Sequence, residues 1–206
     1  MNCSTKKLEL ILSLRSSGIS DPKILLAMEQ ISREDFLSEI FKKHAYIDVA
    51  LPIACGQTTS KPSIIGIMLQ SLKINSRCKV LEIGTGTGYQ TAILSKLSRR
   101  VYTVEKFKDL SISAEKVLNT LNIHNVTFFC SDGTLGLIKQ ASFDRIIVSA
   151  AAEDPPPILL QQLTIGGVMI MPIGESGKRQ KLIKIEKLDN TYNYTELMDV
   201  KFVPIL

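Results

Sequence analysis

The stretch Val80–Gln90, VLEIGTGTGYQ, decides how the rest of the chain is read. A short apolar run ends at Ile83, glycines follow at positions 84, 86 and 88, and a helical pattern starts at Tyr89. A glycine-rich turn between strand and helix lets backbone N–H groups come close to a ligand. The residues discriminate among the ligands such turns hold. A P-loop needs GxxxxGK[ST], and this turn has no lysine. The dinucleotide fingerprint needs GxGxxG, whereas the spacing here is GxGxG, with Tyr89 where the third fingerprint glycine would fall.

Downstream, RVYTVEK, NVTFFCSDG, FDRIIVSAAA and GGVMIMPIG are apolar at nearly every position. Such runs predict strands buried on both faces of a parallel sheet, with helices on each side. Helical candidates fall between them at residues 89–98, 110–121 and 157–163, with a shorter one near 135–139. Asp154 followed by proline reads as the cap of the helix at 157. The tail segments KLIKIEKL and ELMDVKFVPIL flank residues 189–193 and predict an antiparallel hairpin that closes the sheet. Upstream, residues 5–47 read as helical, with Leu8, Ile11, Leu12 and Leu14 forming one apolar stripe. Ser20-Asp21-Pro22 marks a helix start, and Ser32 with Asp35 reads as a second cap. Residues 48–62, DVALPIACGQTTSKP, form a loop, and a helix follows from Ser63 to Leu72.

Composition bounds the function. The chain has 206 residues, 45% of them apolar and 22% charged, which describes an ordinary globular protein. The net charge of +5 permits acidic partners, but the lysines and arginines are scattered, so no nucleic-acid partner is expected. Cys3, Cys55, Cys78 and Cys130 lack metal-ligand spacing, and with only His44 and His124 beside them no metal site is expected. Dispersed thiols suit a reducing cytosol. The N-terminal segment MNCSTKKLELILSL has neither a long apolar core nor a cleavage site, and no run approaches a membrane span. A cytoplasmic protein without a membrane partner is the expectation.

Glu82 sharpens the reading of the turn. Facing the ligand, its carboxylate would repel a pyrophosphate and attract S-adenosyl-L-methionine, which carries an ammonium and a sulfonium. Glu105 ends the second strand about twenty residues later, where an acid reaches ribose hydroxyls in nucleotide-binding sheets. Asp132 ends the third strand, placed to accept from an adenine amino group. With these acids the turn resembles that of class I S-adenosylmethionine-dependent methyltransferases. The resemblance implies an α/β fold: a doubly wound, mostly parallel seven-stranded Rossmann-like sheet, here with an N-terminal helical cap and a C-terminal antiparallel hairpin. A single domain is expected, with a helical region and substrate loop at 1–75 and a cofactor-binding core at 76–206. The resemblance assigns Glu82, Gly84, Gly86 and Gly88 to the methionine end, Glu105 to ribose, and Asp132 with Gly133 to adenine. Thr85 and Lys106 complete the cofactor set.

A carboxylate acceptor fits what the chain lacks. A base-methylating enzyme would close its fourth strand with [DN]PP[YF], and Asp154-Pro155-Pro156-Pro157 offers no aromatic residue to stack on a base. Carbon methylation would need a cysteine near that strand end, where Ser149 and three alanines stand. A carboxylate acceptor is ionised at neutral pH, since its pKa lies near ~4, and needs positioning rather than a base. Hydroxyl and backbone donors in Gly56-Gln57-Thr58-Thr59-Ser60 can supply that.

The same loop carries a second resemblance. AYIDVALPIACGQTTSKP is similar to the segment AYxDxxLPIGxGQTISxP of protein-L-isoaspartate O-methyltransferases. Agreement continues through MEQISREDF, VLEIGTGTGYQTAILSKL, SDGTLGL, FDRIIVSAAA, LLQQLxxGGVMIMPIG and the terminal FVPI. It implies methyl transfer to the free carboxylate of L-isoaspartyl residues in damaged peptides and proteins, giving an ester that closes to a succinimide. Ser60 matches the active-site serine, with the role of orienting the acceptor. Ala54, Gln57, Thr58 and Thr59 shape the substrate loop, Ser149 and Ala150 border the transfer space, and Val203 and Pro204 line the peptide groove. A monomer is expected, because protein substrates need an open groove. Ala54, Thr59 and Lys61 depart from the family's usual Gly, Ile and Gln or Ala. If position 54 needs positive φ, alanine costs on the order of 1 kcal/mol and shifts the loop. The departures leave two alternatives: a relative specialised for aspartyl carboxylates of one dedicated peptide, and an impaired relative that only binds the cofactor.

Overall fold

The structure is a computed structural model that describes residues 3–175 and 177–205. It begins with α1 (Cys3–Ser16) and α2 (Pro22–Gln30). Gly18, at φ +93°, ends α1 with the Gly18 N–H on Arg15 O and the Ile19 N–H on Leu14 O, the pairing of a Schellman stop. Leu10, Ile11 and Leu14 are buried, but Leu8 and Leu12 are 56% and 55% exposed, so the expected stripe turns by one position. Asp21 caps α2, accepting from the Lys23 N–H at 2.8 Å, with Pro22 in the first position as read. The second expected cap is different. Arg33–Phe36 is a 3-10 turn, and Ser32 pairs with the Tyr46 hydroxyl at 2.9 Å instead of capping it. One short helix, α3 (Glu39–Lys42), and a series of turns complete the N-terminal segment.

The loop at 48–62 is a small ribbon. β1 (Leu51–Pro52) and β2 (Thr58–Thr59) pair antiparallel around a 3-10 turn at Ala54–Gly56, and α4 (Pro62–Leu72) follows. Then come β3 (Lys79–Ile83), α5 (Tyr89–Leu97), β4 (Arg100–Glu105), α6 (Lys108–Thr120), β5 (Val126–Cys130) and β6 (Phe143–Val148). α7 (Pro157–Gln161), β7 (Leu163–Ile173), β8 (Gln180–Lys187) and β9 (Tyr192–Val200) end the chain. The seven-stranded sheet runs β5-β4-β3-β6-β7-β8-β9. Its first five strands are parallel, and β8 pairs antiparallel with both β7 and β9, the hairpin expected from the tail.

Alternate residues of the central strands feed two cores. Val80, Val101, Ile147 and Ile170 pack under α1, α2, α4 and α5, while Leu81, Val104, Ile146 and Met169 meet α7 on the other face. Three local expectations fail here. β5 is an edge strand and only half-buried, so its apolar run does not mean two covered faces. The helix near 135–139 is two 3-10 turns, Gly133–Leu135 and Ile138–Gln140, because Gly136 at φ +57° interrupts it. Asp154 does not cap α7: Pro156 holds the cap position and no side chain bonds there. The chain order reverses at β3, with β4 on one side and β6 on the other, and open α/β sheets bind ligands in the crevice at such a switch.

Candidate functional site

A cleft opens where β3, β4 and β6 end, about 810 Å³ with the open space at its mouth counted. The three glycines of the turn do different things. Gly84 (φ +92°) and Gly86 (φ +55°) line the cleft, and a Cβ on Gly84 would meet Ser149 Cβ at 3.4 Å. Gly88 (φ +88°) faces away from it; a Cβ there would lie 2.9 Å from Leu118 Cδ1 and 3.0 Å from Ala114 Cβ of α6. The third glycine therefore seats α5 against α6 and does not line the cleft. The glycine N–H groups are also spoken for: Gly84 donates to Val104 O, Gly88 to Thr85 O, and Gly86 to Glu105 Oε2 at 2.8 Å. None of the three is free to cradle a phosphate.

The acids separate in the same way. Glu105 ends β4 and lines the cleft, its carboxylate pinned by the N–H groups of Gly86 and of Phe107, the latter at 3.0 Å. Glu82 is fully buried and does not line the cleft. Its Oε2 accepts from the hydroxyls of Thr91 and Thr103, and its Oε1 from the Gln90 amide at 3.0 Å. Burial raises its pKa from 4.5 to about 7, against these three hydrogen bonds, and the charge of Glu105 adds to the rise. The direct contact expected between Glu82 and a ligand is thus absent: the carboxylate is turned beneath α5. Asp132 is no part of the cleft wall either. Its Oδ1 takes the Thr134 N–H at 2.8 Å and the Thr134 hydroxyl at 2.7 Å, bonds that lower its pKa, and Gly133 alone of that pair reaches the cleft. Thr85 and Lys106 line it as expected.

A second cavity, about 1220 Å³ with its mouth, adjoins the first between α4, β9 and the C-terminal segment. Thr58, Ser60, Ser149 and Val203 belong to the walls of both. Gln57, Thr59, Ala150 and Pro204 line the first cavity. The tail reaches this point because the Ala151 N–H donates to Val203 O and the Ile205 N–H to Ala151 O, both at 2.8 Å. Lys61 lines the second cavity, its Nζ 4.0 Å from Asp48. Ala54 lies outside both and is not in the left-handed region; that conformation falls to Cys55 (φ 58°) and Gly56 (φ 66°). The strain expected at Ala54 belongs to its neighbour.

Two further residues, Arg33 and Gln90, organise the site. Arg33, 1% exposed, donates to the carbonyls of Ala45, Ile47, Val49 and Ser60 between 3.0 and 3.3 Å, binding the ribbon to the residues before it. Nothing in ISREDF marks that arginine as buried. Gln90 lines the cleft and bridges Glu82 to the Ser149 hydroxyl, the latter at 2.9 Å. Its signal was a polar residue in the first turn of a helix that must pack on a strand carrying an acid.

Comparison with known proteins places the chain in a family. The family described as Protein-L-isoaspartate(D-aspartate) O-methyltransferase (PCMT) matches residues 5–206. A protein-L-isoaspartate O-methyltransferase of Roseobacter denitrificans is 49% identical over 206 residues, 100% of this chain and 97% of that one. One from Cereibacter sphaeroides is 50% identical over 201 residues, 98% of this chain and 92% of the other. Among solved structures, one named protein-L-isoaspartate O-methyltransferase superposes with TM-score 0.87 at 28% identity. The alignment covers 96% of this chain but only 65% of that longer one. A structure assigned to the same activity from Plasmodium falciparum, in complex with S-adenosyl-L-homocysteine, gives TM-score 0.81 at 28% identity over 96% and 97% of the two chains. The chain belongs to the protein-L-isoaspartate(D-aspartate) O-methyltransferase family.

Proposed function

We propose that the chain transfers the methyl group of S-adenosyl-L-methionine to the free carboxylate of L-isoaspartyl residues in peptides and proteins. The observation that carries the reading is the meeting of two cavities at Thr58, Ser60, Ser149 and Val203. One cavity suits a nucleoside with a cationic tail and the other an extended peptide. The residues present fit the methyl donor: glycine N–H groups already bonded within the protein do not solicit phosphate, and the pinned Glu105 carboxylate keeps lone pairs for ribose hydroxyls. Phe107, Leu110 and Ile83 give apolar wall for a base. When bound, S-adenosyl-L-methionine supplies an electrophilic methyl group that a carboxylate oxygen displaces from sulfur, leaving an ester and S-adenosyl-L-homocysteine.

What the chain contributes is position. None of the four shared residues titrates in the physiological range, which matches an acceptor already ionised at neutral pH. Ser60 holds the acceptor carboxylate through its hydroxyl, and Arg33 holds Ser60 through its carbonyl. Thr58, Thr59, Gln57 and the Val203-Pro204 segment frame the peptide, while Gly84, Thr85, Gly86, Glu105, Lys106 and Gly133 frame the donor. The ester then closes to a succinimide without the enzyme and reopens in part to aspartate. We take the chain to act as one domain and as a monomer, since the second cavity opens at the surface. A cytosolic setting accords with the exposed free thiols of Cys55 and Cys130.

The test is incubation with radiolabelled S-adenosylmethionine and paired peptides, one with isoaspartate and one with aspartate, counting base-labile methanol. Label confined to the isoaspartyl peptide is expected. Equal label in both would replace this reading with a general aspartyl methyltransferase, and no label despite cofactor binding would leave a binding protein.

A further inference from the structure

We propose that the Ser149 hydroxyl is a second donor to the acceptor carboxylate, and that Gln90, anchored on the buried Glu82, is the positioning residue that aims it. The inference rests on the methyl-transfer reading above.

Ser149 follows β6, where its N–H donates to Ile83 O at 2.9 Å and fixes its backbone at the end of β3. Its side chain stands where the cofactor cleft meets the peptide cavity, a place it shares with Ser60. The Gln90 amide nitrogen lies 2.9 Å from Ser149 Oγ and 3.0 Å from Glu82 Oε1. An ionised Glu82 carboxylate only accepts, so in that state the Gln90 group facing it is the donor NH₂, and its two hydrogens are divided between Glu82 and Ser149. Ser149 Oγ is therefore an acceptor toward Gln90. Its own proton must point elsewhere, and the open side is the junction of the cavities.

The anchor is itself built to hold this arrangement. Thr103 donates to Glu82 Oε2, so the 2.6 Å contact between Thr103 and Thr85 has Thr85 as donor. Thr91 supplies the third bond to the carboxylate. A direction of donation thus runs from the turn and α5 into Glu82, and from Gln90 out to Ser149. An isoaspartyl carboxylate at the junction meets two hydroxyls, from Ser60 and Ser149, with no titrating group between them. A donor that binds the ionised acceptor favours the bound ground state at least as much as the transition state, whose acceptor has lost charge. Removing it should raise KM more than it lowers kcat.

The experiment measures KM and kcat for an isoaspartyl peptide, and S-adenosylhomocysteine affinity by calorimetry, in the parent, Ser149→Ala, Ser149→Thr, Gln90→Leu and the double variant Ser149→Ala/Gln90→Leu. Loss of a hydrogen bond to a charged group predicts a KM rise of about tenfold or more for Ser149→Ala, with S-adenosylhomocysteine affinity within about twofold. Ser149→Thr restores KM. Gln90→Leu raises KM in the parent and adds little once Ser149 is alanine, because the two act through one proton. An unchanged KM in Ser149→Ala, or full additivity in the double variant, overturns the proposal while parental activity keeps the methyl-transfer reading intact. A Ser149→Ala protein that loses S-adenosylhomocysteine affinity instead gives the hydroxyl to the donor and overturns it too. A parent inactive on the isoaspartyl peptide removes both.

Discussion

Arg33→Met is the change that best tests how the acceptor loop is held. The substitution keeps an apolar stem of similar length and deletes every donor to Ala45, Ile47, Val49 and Ser60. A carbonyl left without a partner costs on the order of 1–3 kcal/mol when buried. Only the Ala45 contact is fully buried; the other three are part-buried and regain water, so each belongs at the low end. The gross loss is therefore about 5 kcal/mol. Against it stands relief from burying a guanidinium, which desolvation already holds below its ordinary pKa and whose Nε has no hydrogen-bond partner among the described residues. That relief recovers about 2 kcal/mol, leaving a net destabilisation near ~3 kcal/mol. For a chain of this size the melting temperature should fall by roughly 6–12 °C. Urea unfolding should show a lower midpoint with an unchanged slope. The functional loss should be selective: a loop displaced by about 1 Å reduces turnover on the order of a hundredfold. S-adenosylhomocysteine affinity should change little, because Arg33 lines neither cavity. Arg33→Lys, with a compact ammonium that cannot span four carbonyls, should fall between. A stability loss under about 1 kcal/mol, or cofactor affinity lost in step with turnover, refutes the holding role of Arg33.

The remaining predictions use the same measurements. Glu82 has a folded pKa of about 7 against an ordinary 4.5, so its contribution to stability is fully present below 4.5 and lost as pH rises through 7. Urea titrations of the parent should weaken over that window by up to about 3 kcal/mol, and Glu82→Gln should flatten the slope; parallel curves contradict the burial of the charge. Gly88→Ala forces a Cβ at φ +88° to within 2.9 Å of Leu118, and should cost about 2–4 kcal/mol of stability while S-adenosylhomocysteine affinity is kept. An affinity loss larger than the stability loss would make it a binding glycine. Cys55→Gly relieves a left-handed, exposed residue and should gain about 0.5–1 kcal/mol in a thermal melt, whereas a loss would show that Cys55 makes a contact of its own. Glu105→Ala should weaken S-adenosylhomocysteine binding by about 1–3 kcal/mol, and a calorimetric titration matching the parent would remove the ribose assignment.

Most of the architecture could be read from local chemistry. The strands at 79–83, 100–105 and 143–148 are buried apolar runs, and Asp21-Pro22 starts α2 by its own side-chain bond and fixed φ. What escaped reading depends on partners far along the chain. Arg33 is buried because four carbonyls from residues 45–60 converge on it, an arrangement no window around ISREDF contains. Leu8 and Leu12 have the spacing of a core face, yet α2 and α4 meet the adjacent face of α1. Asp154 looks like a cap, but three successive prolines delay the helix until the aspartate is out of reach. Within the loop, positive φ begins one residue after Ala54, at Cys55. The composition of Ala54-Cys55-Gly56 shows that a turn is needed and not which residue takes positive φ.

The division between Glu82 and Glu105 shows why an acid beside a glycine turn is not enough to name its ligand. Both sit on the same face of the sheet, since Glu82 pairs with Thr103 in parallel register and Glu105 lies two residues further along β4. Two residues of strand are about 7 Å, the difference between lying under the first turns of α5 and standing clear of them at the strand end. Glu105 is level with Gly84, whose N–H bonds the preceding carbonyl of Val104, and so its carboxylate meets the Gly86 N–H and the cleft together. Glu82 meets Gln90 and Thr91 instead. The acid that faces the cleft is therefore supplied by β4, and the acid of β3 is left to orient polar hydrogens behind the turn. Strand ends decide this, and an apolar run followed by glycine does not say where pairing stops.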